Sequence, residues 1–481
     1  MILSQKSDLT AHAKTIGPVL IFERLWRETG IQETIKSLLA DRRYAFDVER
    51  ALFTTVLHRL MVSGSDRYCT RWKDNCLIAG SEALSLHHMY RAMAFLGEIS
   101  TEGDQFTVRR MKDAIEERLF FMHRDLFSAA EMVFFDTTSI YFEGEGGETV
   151  GKRGFSKDHR PDLRQMIVGV IIDSNGRPLC CQMWPGHTAD VTTLLPIIAM
   201  MKNRFQISEF CIVADRGMIS KKTLEYFDQP DVAVKYILGV RMRNVRDVRD
   251  EVINDTREYE EVYDEQEKRS PLKVKEVMHN GRRYIVCMNT KQQRKDAADR
   301  AAILSSLEEQ LQRGQKQMIG NKGYQRYLTI EAESFSINTQ KAKDDERFDG
   351  KWVLTTNTAM SARDVALKYK ELWQVEHVFR SMKSILDTRP IFHQRDDTIS
   401  GHVFCSFLAL VMLKELERRI AAKGYDFEWK EMKEDLGAMQ EVVLEEGGKT
   451  LVFRTECKGN AGKIFQSVGV AIPPTVRSAS Y

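Results

Sequence analysis

Two short stretches place a carboxylate inside β-rich, apolar sequence. The run MVFFDTTSIY, from Met132 to Tyr141, carries Asp136 at its centre, and FCIVAD ends on Asp215. A buried strand rarely carries an acid, because a charge without a partner is costly to move out of water. Taken alone, either aspartate is better explained as a strand-end cap or as half of a buried ion pair.

A third acid lies in an amphipathic stretch, YKELWQVEHVFRSMK, from Tyr369 to Lys383. Its apolar residues recur at helical spacing, which predicts one helix with one face in the core. Arg380 and Lys383 follow Glu376 by four and seven residues, on the same side of that helix. A solvated, salt-bridged face is the usual explanation of this spacing. Acids on two strands and one helix instead favour carboxylates that converge on cations, and hard oxygen ligands suit Mg²⁺ or Mn²⁺.

The elements around the two aspartates follow the order β-β-β-α-β-α-β. Beyond the two acid-bearing strands, the predicted strands are Gln165–Ile172, Leu179–Trp184 and Tyr236–Val240. Antiparallel hairpins followed by strand–helix alternation predict an α/β fold, a mixed five-stranded sheet flanked by helices.

The spacing of the acids predicts an insertion. Asp136 and Asp215 are 79 positions apart, whereas Asp215 and Glu376 are 161 apart, which is too long for a simple connection. We place the insertion at residues 244–350. Its first half is acidic and its second half is basic, with Arg282 and Arg283 on a predicted strand. The basic half is the best local candidate for DNA contact, and a solvated surface is the alternative.

Composition sets broad limits. The chain has 481 residues, of which 43% are hydrophobic and 29% charged, as expected for globular domains with a real core. Its formal net charge is only +2, so a nucleic-acid surface would have to be a local patch. The longest apolar run, Val403 to Leu413, is too short to span a bilayer, so we expect no membrane association.

With these motifs, the chain resembles the DDE transposases of bacterial insertion sequences, which have an RNase H-like core. The resemblance is to the branch with the signature Y-x2-R-x3-E-x6-K. Tyr369, Glu376 and Lys383 fall on its Tyr, Glu and Lys, while Leu372 stands at the Arg position. The two aspartate stretches match the first and the later acid-bearing strands of that family, so the resemblance covers roughly residues 130 to 395.

The resemblance implies a site and its cofactors. Asp136, Asp215 and Glu376 would be the catalytic residues and would hold two Mg²⁺ (or Mn²⁺) ions. Tyr369, Arg380 and Lys383 would contact DNA. No nucleophilic side chain is required for metal-assisted phosphodiester chemistry.

A glycine-rich loop after the first aspartate is strongly basic. A stretch similar to its SKDHRPD follows the first aspartate in related transposases, which favours a DNA-binding role over a solvated hairpin tip. Positive charge there would offset the repulsion between the acids and a phosphate backbone. The candidate DNA-binding residues of this loop are Lys152, Arg153, Lys157, Arg160 and Arg164.

The resemblance and the element pattern together suggest a domain plan. The predicted regions are a helical N-terminal domain for DNA-end recognition (1–105), the first part of the catalytic core (106–243), the insertion (244–350), the second part of the core (351–395) and a mainly helical C-terminal region (396–481).

The function expected from the resemblance is transposition. The protein would bind the terminal inverted repeats of an insertion sequence as double-stranded DNA, cut the ends and join them to target DNA. It would act as a dimer in the synaptic complex and would be cytoplasmic, associated with the nucleoid when bound to DNA. A metal-dependent nuclease with the same core, and a DNA-binding protein derived from a transposase without catalysis, are the alternatives.

Overall fold

The computed structural model describes residues 10–100, 109–123, 132–263, 272–313, 326–331, 334–446 and 449–478. The described helices are α1 Gly17–Glu28, α2 Ile31–Leu39, α3 Val48–Met61, α4 Asp66–Trp72, α5 Leu86–Gly97, α6 Met111–Met122, α7 Leu194–Asn203, α8 Lys221–Phe227, α9 Thr290–Arg313, α10 Thr339–Asp345, α11 Ala362–Lys370, α12 Trp373–Arg380, α13 Asp396–Ala421, α14 Trp429–Gly437 and α15 Ala461–Val468.

The described strands are β1 Thr10–Thr15, β2 Met132–Tyr141, β3 Gln165–Asp173, β4 Pro178–Pro185, β5 Cys211–Ala214, β6 Lys235–Val240, β7 Glu260–Val262, β8 Leu272–His279, β9 Arg282–Asn289, β10 Leu328–Glu331, β11 Ser334–Ile337, β12 Lys351–Thr356, β13 Gln440–Glu446, β14 Lys449–Arg454 and β15 Val476–Ser478. The chain divides into two compact units. The first contains residues 1–189, 199–206 and 374–481, and the second contains residues 190–198 and 207–373.

In the first unit, β2, β3 and β4 form antiparallel pairs in the order β4-β3-β2. The sequence QMIVGVIID of β3 is buried along its whole length, which explains its unbroken apolar run. Asp136 on β2 lies opposite Val170 of β3. The predicted strand and its central acid are confirmed.

Helix α13 forms the core of the first unit. Most of its residues from Thr398 to Leu410 are buried, and α5 packs along it. A Cβ atom on Gly401 would collide with the main-chain carbonyl of Met93, so glycine permits this close approach. Within the described residues, α13 is the one helix long and apolar enough to cross a membrane, but 83% of its apolar window is buried inside the protein. It is therefore explained as a core helix.

The C-terminal region contains strands as well as helices. β13, β14 and β15 join the N-terminal β1 in an antiparallel sheet of order β1-β13-β14-β15. Helices occupy more of the described part of residues 396–481 than strands do, as predicted, but the strands themselves were not predicted. β1, the partner of β13, lies near the opposite end of the sequence, and pairing at that distance leaves no local signal.

In the second unit, β5 and β6 are parallel, and antiparallel pairs extend the sheet in the order β5-β6-β12-β9-β8-β7. This mixed sheet and its flanking helices agree with the predicted α/β class, but the five-stranded sheet was an underestimate, because the second unit alone contributes six strands. The insertion's strand β9 pairs directly with core strand β12, and β8 pairs with β9. The insertion is β-containing as predicted, but it widens a sheet that also contains core strands.

The Tyr369–Lys383 stretch is not one helix. α11 ends at Lys370, α12 begins at Trp373, and a π-helical turn, Ser381–Ile385, follows it. The break lies next to the boundary between the two units, since α11 belongs to the second unit and α12 belongs to the first from Gln374 onwards.

A buried ionic network ties α6 to β4 in the first unit. The side chain of Glu116 has no exposed surface; its Oε1 accepts from the Cys181 N–H at 2.9 Å and its Oε2 accepts from Arg204 at 2.9 Å. Lys112 donates to the Cys181 carbonyl oxygen at 2.9 Å. Burial opposes ionisation of Asp113, but the charges of Lys112 and Arg204 lower its pKa to about 2. The network stabilises the fold only while every charge has its partner.

We expect Arg204→Ala to lower the free energy of unfolding by about 3–5 kcal/mol, because it removes a cation that pairs with Glu116, Asp113 and Glu117 and leaves Lys112 as the remaining buried cation beside Glu116. Chemical denaturation at neutral pH measures this loss. Arg27→Ala, at an exposed arginine of α1, should change stability by less than about 0.5 kcal/mol. Equal losses in the two variants would contradict the role of the network.

Candidate active site

Asp136 lies on β2, partly buried, with its Oδ1 accepting from the main-chain N–H of Thr137 at 2.7 Å. The basic loop is attached to this strand one residue further on. Lys157 Nζ donates to the carbonyl oxygen of Thr137 at 2.7 Å and to its hydroxyl at 2.9 Å. The Lys157 N–H donates to Ser139 Oγ at 2.8 Å. Lys157, predicted to bind DNA, here holds the loop against the strand that carries Asp136.

The next residue, Asp158, connects the loop to the segment that follows α12. Its Oδ1 lies 2.8 Å from Lys383 Nζ and 2.5 Å from a guanidinium nitrogen of Arg389. Burial lowers the pKa of Lys383, and the Asp158 carboxylate partly offsets that effect. Lys383 was predicted to contact DNA; its ammonium group is mostly buried in this ion pair.

Main-chain hydrogen bonds join the end of β2 to the same segment. The N–H of Ile391 donates to the Tyr141 carbonyl at 3.2 Å, and the N–H of Glu143 donates to the Ile391 carbonyl at 3.0 Å. The strand carrying Asp136 and the segment following Glu376 are therefore held together within the first unit.

Glu376 lies on the solvent side of α12, whose Val375, Val378 and Phe379 are buried. Arg380 is also exposed, and among the residues that the structure describes neither its guanidinium nor the Glu376 carboxylate has an ion-pair or side-chain hydrogen-bond partner. A carboxylate with both oxygens free is able to accept a cation.

Asp215 directly follows β5, at the carboxyl end of a parallel strand. Its Oδ1 accepts a hydrogen bond at 2.9 Å from the hydroxyl of Tyr369, which lies 154 residues further along the chain. A Cβ atom at Gly239, on β6, would come within 2.5 Å of that hydroxyl, so a glycine there leaves the tyrosine its place. Tyr369 was predicted to bind DNA; the structure places it as a partner of the second aspartate.

Leu372, at the signature's arginine position, is buried between α11 and α12. An arginine in its place would have to be buried or to displace the turn, since an unpaired buried charge is costly. The departure from the signature therefore fits the local packing of this chain.

Internal partners occupy most of the basic loop. Lys152 donates to the carbonyl of Glu148 at 3.0 Å, Arg160 forms a two-pronged pair with Asp162, and Arg164 pairs with Glu145. Arg153 is exposed and makes no ion pair or hydrogen bond within the described part of the chain. Of the loop's candidates, Arg153 is the one whose guanidinium is available without breaking an internal contact.

The two arginines chosen in the insertion are also paired. Arg282 contacts Asp228, and Arg283 binds Glu276 at 2.6 Å and the carbonyl of Thr358 at 2.9 Å. Both side chains are largely covered, at 24% and 17% exposed. Their charges are locally compensated, so their prediction as DNA contacts gains no support from this geometry.

The three acids belong to different units: Asp136 and Glu376 to the first, Asp215 to the second. Their convergence stays a prediction. The donor chemistry nevertheless fits Mg²⁺ or Mn²⁺, which prefer hard oxygen ligands. The Glu376 carboxylate is unpaired within the described residues, and hydrogen bonds from the Thr137 N–H and the Tyr369 hydroxyl would orient the carboxylates of Asp136 and Asp215.

Sequence reasoning missed a polar cluster in the first unit, formed by Asp66, His393 and His402. Arg59 lies among them, donating to His402 Nδ1 at 2.8 Å and to Ser406 at 2.7 Å, and His393 Nε2 lies 3.1 Å from Asp66. A buried guanidinium already supplies the cation, and it occupies the His402 nitrogen. The residues come from two segments more than three hundred positions apart, Arg59 with Asp66 and His393 with His402, so local spacing could not have revealed their contact.

Titration in this cluster follows from burial. Burial lowers the pKa of His402 well below its ordinary value of 6.5, and Arg59 lowers it further. Burial and Arg59 likewise lower the pKa of His58 to about 4. Burial opposes ionisation of Asp66, but the His393 hydrogen bond and the Arg59 charge lower its pKa overall.

Comparison with known proteins identifies the class. A model of the transposase DDE-domain family matches residues 128–412, more than half of the chain. The chain belongs to this family, whose members carry out DNA transposition and generally use divalent metals.

Among solved structures, the chain is similar to a piggyBac transposase in a synaptic complex with hairpin DNA, determined by cryo-EM. The identity is 11% and the TM-score 0.41, over 88% of this chain and 79% of that chain. The comparison with curated proteins found no match.

We expect Tyr369→Phe to lower the DNA cleavage rate by about 10–100-fold, because the hydroxyl that orients Asp215 is lost while the ring remains. Cleavage of labelled substrate DNA with Mg²⁺ measures the effect. Tyr263→Phe is the matched control, since the Tyr263 hydroxyl donates to Glu261 at 3.0 Å on an exposed surface. An unchanged cleavage rate in Tyr369→Phe would show that this hydrogen bond has no role in catalysis.

Acid should destabilise the protein through its buried histidines. The unfolded chain takes up protons as the pH falls below 6.5, whereas His402 stays neutral in the folded state, so stability is lost with falling pH. The unfolding temperature should drop between about pH 7.5 and about pH 5.5. The drop should be smaller in His402→Gln, whose amide can still accept from Arg59. His12→Gln, at an exposed histidine, should keep the wild-type pH dependence; the same dependence in all three proteins would refute the assignment.

Proposed function

We propose that this protein is the transposase of a bacterial insertion sequence. It binds the terminal inverted repeats of the element as double-stranded DNA, cleaves the DNA at the ends and transfers those ends to target DNA. It acts as a dimer in the synaptic complex and works in the cytoplasm, on the nucleoid.

The observation that carries the proposal is the hydrogen bond from Tyr369 to Asp215. It links the signature's tyrosine to the second acid-bearing strand, although the two motifs are far apart in sequence. An isolated salt-bridged helix or a strand-end cap would give no reason for this contact. The unpaired carboxylate of Glu376, a few residues beyond Tyr369, is consistent with the same site.

Asp136, Asp215 and Glu376 would hold two Mg²⁺ (or Mn²⁺) ions. The metals supply activation of a water or a 3′-hydroxyl and stabilisation of the leaving oxygen. Tyr369 and the Thr137 N–H orient two of the three carboxylates. Arg380 and Arg153, both exposed and without an internal ion pair in the described chain, would bind DNA phosphates beside these acids.

Basic residues that already have internal partners, such as Lys157 and Lys383, have a structural role in this proposal and do not bind DNA phosphates directly. Lys157 and Lys383 hold the loop and the α12 segment in place, as their contacts with Thr137 and Asp158 indicate. Replacing either would disturb the site through its geometry, and the loss of a phosphate contact would be secondary.

The test is cleavage and joining of DNA from the ends of the element, with Mg²⁺. Asp136→Ala, Asp215→Ala and Glu376→Ala should each reduce cleavage by more than about 100-fold, beyond the loss expected for an orienting partner, and leave DNA binding largely intact. Glu33→Ala, at an exposed helical acid, is the control.

A variant that still cleaves at the wild-type rate would remove its residue from the triad. Cleavage without joining in the wild type would indicate a nuclease. Binding without cleavage in the wild type would indicate a transposase-derived DNA-binding protein.

A further inference from the structure

A large open cavity of about 1190 Å³ lies in the first unit, between its N-terminal helices and the segment before α13. Its lining comes mostly from α4, α5 and residues 386–402; it includes Arg389, the partner of Asp158, but none of the three candidate catalytic acids. Pockets for single small molecules usually measure about 300–1,000 Å³. The size of the cavity therefore suits a segment of a polymer better than one small metabolite.

The cavity carries positive charge that is not compensated internally. Its acids Asp66, Glu98 and Asp397 pair with His393, Arg42 and Arg395, respectively. Burial raises the pKa of the remaining acid, Asp387, which makes its negative charge easier to lose.

Two arginines of the lining, Arg67 on α4 and Arg91 on α5, are exposed and have no carboxylate partner within the described chain. Guanidinium groups in this state bind phosphate with paired hydrogen bonds. The cavity thus offers anion sites on two of its walls.

Aromatic rings line the same cavity. Phe392 is 66% exposed although its neighbour Ile391 is fully buried and hydrogen-bonded to Tyr141. The backbone of Phe392 is therefore fixed while its ring is left open to solvent, and packing does not explain it. Tyr90 packs edge-on against His393 at 5.1 Å, and Arg91 lies over the ring of Tyr44 at 5.6 Å.

We propose that this cavity binds unpaired nucleotides of the DNA substrate, with Arg67 and Arg91 on the phosphates and Phe392 stacked on a base; this rests on the proposed function. Aromatic faces interleaved with arginines are the usual surface for single strands, because every base has a π-face. Paired bases are already stacked on one another, so a duplex could use the arginines but not the ring of Phe392.

The experiment measures affinity by fluorescence anisotropy for two probes. One is a blunt duplex of about 20 base pairs, and the other is the same duplex with an unpaired extension of about five nucleotides, on either strand. The wild type should bind an extended probe about tenfold more tightly than the blunt one, as expected from stacking of one base.

The double variant Arg67→Ala, Phe392→Ala should lose this preference, and its affinity for the blunt duplex should fall by less than its affinity for the extended probe, because a duplex can use Arg67 but not the ring of Phe392. Its matched control is Arg246→Ala, Tyr263→Ala, which removes an exposed arginine and a tyrosine that is also 66% exposed, and which should retain the preference. Thermal unfolding of both variants checks that they fold. If the cavity variant does not fold, Phe392→Ala alone, at an exposed ring, gives the same comparison.

Several results would overturn the proposal. A wild type that binds blunt and extended probes equally would defeat the cavity assignment and leave the proposed function standing. If the cavity variant lost affinity for both probes equally, the cavity would be a surface that binds duplex phosphates. Competition by poly-glutamate as strong as by an oligonucleotide would assign the cavity to acidic chains. A wild type that binds no DNA would overturn both the cavity assignment and the proposed function.

Discussion

The ion pairs of Asp158 with Lys383 and Arg389 are the contacts on which the first unit's part of the site depends. They join three segments that are distant in sequence: the basic loop, the end of the α12 region and, through Lys157 and Thr137, the strand of Asp136. The Asp158 side chain is 5% exposed, so its charge is tolerated only because two cations face it. Without that carboxylate, two partly buried cations would repel each other at the base of the site.

Elsewhere in the described chain, too, buried and half-buried charges lie next to opposite charges. With a net charge of only +2, the protein has few cations to spare, and many of its basic residues are committed to internal partners. Lys112 and Arg204 support the fold, Arg282 and Arg283 are paired at the edge of the insertion, and Arg59 sits within a buried histidine cluster. Positive charge available to a ligand is thus confined to a few positions. The exposure and pairing of a basic residue therefore predict DNA binding better than its residue type does.

Much of the fold could be predicted from local pattern. The strands around Asp136 and Asp215 appear within a few residues of their expected bounds, because continuous apolar runs bounded by turn residues leave little choice of structure. The break at Glu371 and Leu372 could not be predicted in this way, because the spacing of apolar residues is compatible with one helix. It lies next to the point where the chain passes from the second unit to the first, and the position of that boundary depends on tertiary contacts.

The sequence alone determined the acids, their order on strand, strand and helix, and the family to which they point, because these depend on residue type and local periodicity. Tertiary structure decided what each basic or aromatic residue does. It turned Tyr369 towards Asp215, buried Lys383 against Asp158 and left Phe392 uncovered. Such roles depend on contacts between residues more than a hundred positions apart in the sequence. Local sequence carries no information about those contacts.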